Sequence, residues 1–224
     1  MTFSIIAYDE TTGTAGAATA TGGVAVGAYV PHVRAGVGAI VTQGAYTNWL
    51  YGERGLALLA TGENAESVLE KIVGEDQGRE FRQCLVIDRN GHGAGWTGSE
   101  NTGLKEFSTA PGVVAGGNFL ASHGIADALI RSFLTYPDQP MAWRLFKALQ
   151  AGEKSGGDVR GLISASIKVD FTDRPPVDLR VDYEPGQALA RLETVYRHFH
   201  SPPFKEFYDG VPTRTNYSKC GPQS

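Results

Sequence analysis

Residues 1–9 read Met-Thr-Phe-Ser-Ile-Ile-Ala-Tyr-Asp (MTFSIIAYD), so a small hydroxyl residue directly behind the initiator begins an apolar strand. Methionine aminopeptidases act when the second side chain is small, and removal of Met1 would place Thr2 at the amino terminus. Its α-amine titrates at about pH 8, so Thr2 would hold both a nucleophile and the base that activates it. The alternative is that Thr2 merely begins an ordinary strand, because Met-Thr beginnings are common.

Further strands are predicted downstream of this segment. Residues 14–21 are small and alternating, and Gly13 lies in the turn that joins them to residues 2–8 as a hairpin. Two β-rich runs follow at residues 24–29 and 35–43, with a break at Pro31. We therefore expect four strands before the first helix.

The remaining chain alternates between helix pairs and strands. Leucine, alanine, isoleucine and valine recur at helical spacing in residues 50–61 and 65–73, with Asn64 as the N-cap of the second helix. The Asn90-Gly91 turn joins strands at residues 81–88 and 93–97. The later elements are predicted as strands at residues 105–108, 112–116, 162–169 and 179–183, and helices at residues 125–135, 141–151 and 187–198.

This order predicts an α+β fold, a four-layer α-β-β-α sandwich in which two antiparallel sheets pack face to face and helix pairs cover their outer faces. The 29 glycines and the many alanines support close approach of the layers. No glycine-rich phosphate loop joins a strand to a helix, and Gly22-Gly23 and Gly116-Gly117 lack the spacing of a dinucleotide or P-loop fingerprint.

Composition narrows the classes of function. The 224 residues are 42% hydrophobic and 20% charged, with a net charge of -4, which argues against a nucleic-acid-binding surface. No segment reaches the length of a membrane span and none is patterned as a signal peptide, so we expect a cytoplasmic protein with no membrane partner. The two cysteines, Cys84 and Cys220, form neither a disulfide framework nor a metal motif, and we expect no metal or cofactor.

The end of the chain differs in composition from the rest. Residues 201–224 mix prolines and aromatic residues with polar ones and show no helical period. We divide the chain into a domain at residues 1–200 and an extended C-terminal arm at residues 201–224, with no helix in the arm. An arm of this kind is expected to dock on the body or on a second subunit, which favours a homodimer.

Six segments carry a resemblance to a known family. They are TFSIIAYD (residues 2–9), VPHVRAGVGAIVTQ (30–43), NWLYGERGLALLATG (48–62), VVAGGNFLA (113–121), AGEKSGGDVRG (151–161) and VDLRVDYEP (177–185). In this order they resemble an uncharacterised bacterial family, domain of unknown function 1028. Its members are similar to the N-terminal nucleophile (Ntn) hydrolases, which implies the four-layer fold and a nucleophile at the mature amino terminus.

The resemblance implies a set of catalytic groups around Thr2. Ser4 shares its strand face and either lines the pocket or is structural. A cation is needed near the nucleophile, and Arg34 and His32 are the candidates. Arg34 matches the arginine of the family, with pairing to Asp9 as the alternative. His32 stands where other members often place an aromatic residue, and its alternative is a solvated loop histidine.

The resemblance also implies an oxyanion hole and substrate contacts. Gly117 and Asn118 offer N–H donors at a strand end, and the alternative is a turn that requires positive φ. Gln43 and Asn48 are expected to face the cleft, although Asn48 is equally suited to cap a helix.

Asp158 and Arg160 either orient the amine or bind a substrate carboxylate, with a salt bridge that fixes the loop as the alternative. The predicted function is amide hydrolysis of a small polar substrate by mature Thr2. The alternative is a non-catalytic small-molecule-binding or assembly protein on the same fold, which retention of Met1 in the native organism would favour.

Overall fold

A computed structural model describes residues 2–221. This part of the chain has a mixed α+β fold with two antiparallel sheets and six α-helices. The strands are β1 Thr2–Asp9, β2 Thr14–Thr21, β3 Pro31–Arg34, β4 Gly38–Gly44, β5 Arg82–Asp88, β6 Gly93–Thr97, β7 Leu104–Ala110, β8 Val113–Leu120, β9 Ser164–Asp170 and β10 Val177–Val181. The helices are α1 Leu50–Ala60, α2 Ala65–Gly74, α3 Ile125–Leu134, α4 Met141–Lys154, α5 Ala188–Phe199 and α6 Phe204–Gly210.

The two sheets differ in size. The larger one has six strands in the order β10-β9-β2-β1-β8-β7, and the smaller one has four in the order β3-β4-β5-β6. In the larger sheet β1 is central, because β2 pairs with it along its full length on one side and β8 pairs with it on the other. The amino-terminal strand is therefore the structural centre of the six-stranded sheet.

Both faces of β1 are buried, which explains its nearly continuous apolar sequence. Successive side chains of a strand point to opposite faces, so Phe3 and Ile5 belong to one apolar cluster and Ile6 to another. The first cluster joins the six-stranded sheet to α3, α4 and α5. Gly152 of α4 permits close packing there, since a Cβ at that position would lie 2.8 Å from the Phe3 ring.

The other two clusters involve the four-stranded sheet. Ile6 of β1 shares a cluster with Val41 of β4 and Leu85 of β5, so this cluster lies between the two sheets. Ile40 and Val86 instead pack with residues of α1 and α2 in the third cluster. Alternate residues of β4 and β5 therefore face the other sheet or the helices.

The segment before β3 departs from the prediction. Residues 24–29 were expected to form a strand, but the backbone makes a short 3₁₀ helix at Val26–Ala28. Ser164 holds this segment, because its hydroxyl accepts from Val26 N and donates to Gly23 O. Pro31, expected to mark a break, is instead the first residue of the edge strand β3, where a missing N–H costs no ladder hydrogen bond.

The C-terminal segment corrects a second expectation. We predicted an arm without a helix, yet α6 forms within it at Phe204–Gly210. Phe204 and Tyr208, four residues apart on α6, both contact the ring of Phe199 at the end of α5, with centroids 5.1 and 4.9 Å away. Further along, Arg214 pairs with Asp170 of β9. The described part of this segment therefore docks on the body of the same chain; residues 222–224 lie outside the described residues.

Candidate functional site

Thr2 lines a cavity of about 370 Å³. Its side chain is on the face of β1 that looks toward the second sheet, and only 7% of the residue is exposed. Tyr29 and Tyr46 also line the cavity, and both are exposed. The full set of lining residues is Thr2, Thr21, Gly23, Val24, Val26, Tyr29, Val30, Gly44, Ala45, Tyr46, Thr47 and Arg160.

Hydroxyl groups surround Thr2 on its own sheet. Thr2 is directly opposite Thr21 of β2, and its Oγ1 donates to Thr21 Oγ1 at 3.2 Å. Ser4 shares the same face, and its Oγ lies 2.8 Å from Thr19 Oγ1 and 2.6 Å from Gln43 Oε1. Ser4 donates its proton to Gln43, since an amide oxygen can only accept. Ser4 is fully buried and does not line the cavity.

Two glutamines of the second sheet complete a buried polar network. Gln43 Nε2 donates to Thr2 O at 3.3 Å and to Gln83 Oε1 at 2.7 Å. Gln83 Nε2 donates to Gly117 O at 2.9 Å, and its Oε1 also accepts from Asn118 Nδ2 at 3.2 Å. Backbone carbonyls only accept, so they determine which end of each glutamine amide faces which way. This in turn makes Nδ2 the atom that Asn118 turns toward Gln83.

Asn118 is opposite Thr2 in the pairing of β1 with β8. The sequence suggested that its amide donates to an oxyanion, but Nδ2 is engaged by Gln83. Its Oδ1 is buried and has no hydrogen-bond partner among the described residues. A buried acceptor without a partner costs about 1–3 kcal/mol, which marks this atom as a candidate for an interaction that the catalytic or bound state supplies.

Gly117 is on the opposite face of β8 from Asn118. It lies beside Phe3 in the register, and a Cβ there would come within 3.0 Å of Thr2 O and 2.6 Å of the Leu120 side chain. The missing Cβ lets β8 pair closely with β1 at this position. The backbone O of Gly117 accepts a hydrogen bond from Gln83 Nε2. This corrects the expectation of a substrate contact, since Gly117 does not line the cavity.

Gln83 is the member of the network that sequence reasoning missed. It is fully buried in β5, whose sequence RQCLVID is otherwise mainly apolar after the first residue. A buried polar side chain must find partners, so a glutamine within a buried strand was the available signal. Its partners include Thr97 of the neighbouring strand β6, but also Gln43 of β4 and Asn118 of β8, which only the packing of the two sheets brings together.

Two strained backbone positions flank the cavity. Ala25 and Phe119, each with φ of 53°, are the non-glycine residues with positive φ in the described chain. Ala25 stands between Val24 and Val26, which both line the cavity, and Phe119 follows Asn118. Such backbone costs on the order of 1–3 kcal/mol and is concentrated at functional sites. The strain therefore supports this end of the molecule as the site.

Asp158 and Arg160 form an ion pair at the same end. Arg160 Nη2 lies 3.2 Å from Asp158 Oδ2, and Arg160 lines the cavity. Asp158 Oδ2 also accepts from Gly22 N at 2.6 Å, which ties the loop to the end of β2. The pair thus fixes the loop, and it places one guanidinium in the wall of the Thr2 cavity.

Arg34 does not lie near Thr2. It is exposed at the end of β3 and pairs in register with Gly38, at the opposite end of β4 from Gln43. The adjacent Gly36 N donates to Gly13 O in the turn after β1. Because β1 has eight residues at about 3.3 Å each, the two ends of the sheet are about 23 Å apart. The expectation that Arg34 acts on Thr2 is therefore corrected.

His32 is also turned away from the cavity. It pairs with Ile40, which faces α1 and α2, and a Cβ at Gly52 of α1 would lie 2.1 Å from the His32 ring. Burial lowers the pKa of His32, opposed by a hydrogen bond with Tyr29 O. His32 is a packing residue beneath α1, which corrects the expectation of a substrate contact.

Asn48 has a local role at the start of α1. Its Oδ1 accepts from Leu50 N at 3.2 Å, and its Nδ2 donates to Asp76 at 3.0 Å. Burial raises the pKa of Asp76, but hydrogen bonds from Asn48, Tyr51 and others outweigh it and hold the pKa well below its usual range. The N-cap residue of α1 is Trp49, which makes no side-chain cap bond, so Asn48 holds the segment just before the helix. It does not line the cavity, although its neighbour Thr47 does.

Neither a metal centre nor a membrane helix is evident in residues 2–221. Within this range no three histidine, cysteine, aspartate or glutamate side chains come together in a way that could hold a metal ion. None of the helices there is long and apolar enough to cross a bilayer.

Comparison with known proteins gives a family and a related structure. A family model described as "Family of unknown function (DUF1028)" matches residues 2–192. The crystal structure of protein SPO2555 from Silicibacter pomeroyi, assigned to the same family model, superposes with a TM-score of 0.93 at 34% sequence identity. The match covers 100% of this chain and 96% of that one. No curated protein matches the chain significantly.

Proposed function

The chain belongs to the family of unknown function DUF1028, whose description names no activity, and from the site itself we propose an amide-cleaving hydrolase of the N-terminal nucleophile type. Thr2 becomes the nucleophile once Met1 is removed. The observation that carries the proposal is the position of Thr2, a buried residue whose hydroxyl side chain lines a cavity, on a central strand of the larger sheet.

The arrangement of the apolar clusters supports an Ntn-like α-β-β-α sandwich as part of the proposal. One cluster lies between the two sheets, and the others join each sheet to its own set of helices. In such a sandwich the central strand carries its first residue to the edge between the sheets. A cleft at that edge gives a substrate access to Thr2.

The proposed reaction uses Thr2 as nucleophile and base. Its α-amine takes the Oγ1 proton while Oγ1 attacks the amide carbon, and the resulting tetrahedral intermediate collapses to an ester as the amine passes that proton to the leaving nitrogen. Water, deprotonated by the same amine, then hydrolyses the ester and releases the acid. Asn118 is opposite Thr2 on β8, and its buried Oδ1 is an acceptor for a hydrogen bond from a group of the reacting site.

The polar network supports the proposal through positioning. Gln43 holds the Thr2 carbonyl and Ser4, while Gln83 holds Gln43 and Asn118. At the Thr2 end this network takes the place of apolar packing between the sheets. Buried polar groups with several partners hold a catalytic strand in one geometry.

The first test is the intact mass and N-terminal sequence of the protein purified from its native host. A chain that begins at Thr2 is expected, and it would justify a screen of amide substrates. Thr2→Ala is then expected to abolish hydrolysis. Thr14→Ala is the matched control, because Thr14 is equally buried in β2 at the far end of the sheet. Loss of activity in both variants would contradict the assigned role of Thr2.

A chain that keeps Met1 in the native organism would support the second candidate, a small-molecule-binding or assembly protein. A peptide nitrogen in place of the amine leaves Thr2 without its base. The hydrogen bond from Thr2 Oγ1 to Thr21 favours this candidate in that case, because it gives the hydroxyl a structural task.

A homodimer is a further part of the proposal. Phe207 and Tyr217 in the C-terminal segment are strongly exposed, and exposed aromatic rings are enriched at protein interfaces. Light scattering of the purified protein, with a Phe207→Ser variant beside it, tests this expectation. A monomeric wild type would contradict it.

A further inference from the structure

The wall of the Thr2 cavity is uneven in charge. Among the described residues that line it, Arg160 is the one with a formal charge, and no acid faces the space. The other lining side chains are hydroxyl, aliphatic or tyrosine, including Val24, Tyr29 and Tyr46. A ligand in this cavity therefore meets one cation together with hydroxyl, tyrosine and aliphatic side chains.

The guanidinium of Arg160 is held in place by a buried acid. The side chain of Asp158 has no exposed surface, and it accepts from Gly22 N at 2.6 Å, Arg160 N at 2.8 Å and Arg160 Nε at 3.2 Å. The Phe119 ring centroid lies 5.9 Å from Arg160 Cζ. Asp158 does not line the cavity, whereas the Arg160 side chain is 46% exposed.

We propose that Arg160 anchors a substrate carboxylate and that the protein acts on amides which carry one. A planar guanidinium matches the geometry of a carboxylate, and an arginine held in advance by Asp158 loses less side-chain entropy when it binds. The exposed side chains of Val24, Tyr29 and Tyr46, which line the cavity, suit a hydrocarbon or aromatic portion of the same molecule. This inference rests on the proposed function for its catalytic meaning, but the anchor itself is a binding property.

The carboxylate can belong to either half of the amide. In an acyl-side substrate it ends the acid portion, as in the mono-anilide of glutaric acid. In an amine-side substrate it belongs to the released amine, as in N-benzoylglycine. Both probes offer the same anion to Arg160, and the comparison between them identifies the half that the cavity accepts.

The test is calorimetric titration of each acid and of its neutral carboxamide into the Thr2→Ala protein at low salt. We expect at least one acid to bind about tenfold or more tightly than its carboxamide. The same acid should lose about tenfold in affinity on Arg160→Gln, and part of it should return on Arg160→Lys. Arg191→Gln is the control, since Arg191 is a comparably exposed arginine whose ion pair with Glu184 lies outside the cavity.

Several results would overturn the anchor. Equal affinity for acid and carboxamide would do so, as would equal weakening of both by Arg160→Gln or absence of binding for all four probes. If an Arg160 variant does not fold, the affinities of each acid and its carboxamide for the Thr2→Ala protein decide whether the cavity binds a carboxylate. A clear preference for the acid without hydrolysis of either acid by the wild type keeps the anchor and contradicts the proposed catalysis.

Discussion

Replacement of Gln83 by leucine tests whether the buried network holds the two sheets together at the Thr2 end. Leucine has nearly the same volume as glutamine, so the change removes hydrogen bonds with little change in packing. In the wild type the Gln83 amide joins Gln43 of β4 to Asn118 of β8. The variant breaks this connection without touching Thr2.

The size of the expected loss of stability follows from the polar groups that lose a hydrogen-bond partner. Asn118 Nδ2 loses its acceptor, and Gln43 Nε2 loses the shortest of its three bonds and keeps Thr2 O at 3.3 Å and Gly116 O at 3.5 Å. A stranded buried polar group costs about 1–3 kcal/mol. We expect Gln83→Leu to lower the free energy of unfolding by about 3 kcal/mol. This sum includes the stranded Asn118 Nδ2, the weakened bonding of Gln43 Nε2 and the hydrogen bonds that Gln83 itself no longer makes.

The assay is equilibrium unfolding in urea, followed by circular dichroism. At an m-value of about 2–3 kcal/mol/M, a loss of about 3 kcal/mol moves the midpoint down by about 1 M with m unchanged. Gln77→Leu is the matched control, because Gln77 is exposed after α2 and surface changes of this kind stay within about 0.5 kcal/mol.

A midpoint shift no larger than that of Gln77→Leu would refute the reasoning. A second measurement isolates the contact between Gln83 and Asn118. The double variant with Asn118→Leu should lose less stability than the sum of the single variants, by about 0.5 kcal/mol or more, because both partners are then apolar. Strict additivity would show that the two amides do not support each other.

Three other predictions concern packing, pH and thiol chemistry. Gly52→Ala should lower the free energy of unfolding by about 1–3 kcal/mol, measured in urea, since the new Cβ would lie 2.1 Å from the His32 ring. Gly74→Ala has open space around it and should raise the free energy of unfolding by up to about 1 kcal/mol. Equal effects of the two substitutions would contradict close packing of Gly52 against His32. Burial lowers the folded-state pKa of His32 from 6.5, so the contribution of neutral His32 to stability is present above pH 6.5 and is lost as the pH falls below it. His32→Gln should therefore lose less stability than the wild type between about pH 7 and pH 5. Parallel losses of stability in the two proteins would refute this. Burial raises the pKa of the Cys84 thiol, whereas Cys220 is exposed, so a thiol reagent should modify Cys220 alone in the folded protein. Mass spectrometry of the labelled peptides checks this. Rapid labelling of Cys84 would contradict it.

Much of the fold could be predicted because its signals are local. The alternation of small residues predicted β2 at its observed bounds, and the apolar run after Met1 predicted β1 to within one residue. Asn64 was predicted to cap α2, and its Oδ1 accepts from Ser67 N at 2.9 Å. Caps, turns and burial of alternate residues depend on a few neighbouring positions, which the sequence displays directly.

The site was less predictable because its members come from distant parts of the chain. Polar residue type singled out Thr2 and Gln43, which the structure places in one network, but Gln43 is fully buried and does not line the cavity, which corrects the expectation of a substrate contact. The same reasoning suggested Arg34, which lies at the other end of the sheet, and passed over Gln83.

The sequence by itself determined that Thr2 begins a strand buried on both faces, because that follows from the apolar character of the residues next to it. Only the tertiary structure decided which residues face Thr2. A strand's alternation tells which side chains share a face, but the packing of one sheet on the other sets which strands meet. That packing brings Gln43 to Thr2 across 41 residues of chain and Gln83 to Asn118 across 35, since burial is a property of surfaces that assemble and not of sequence distance.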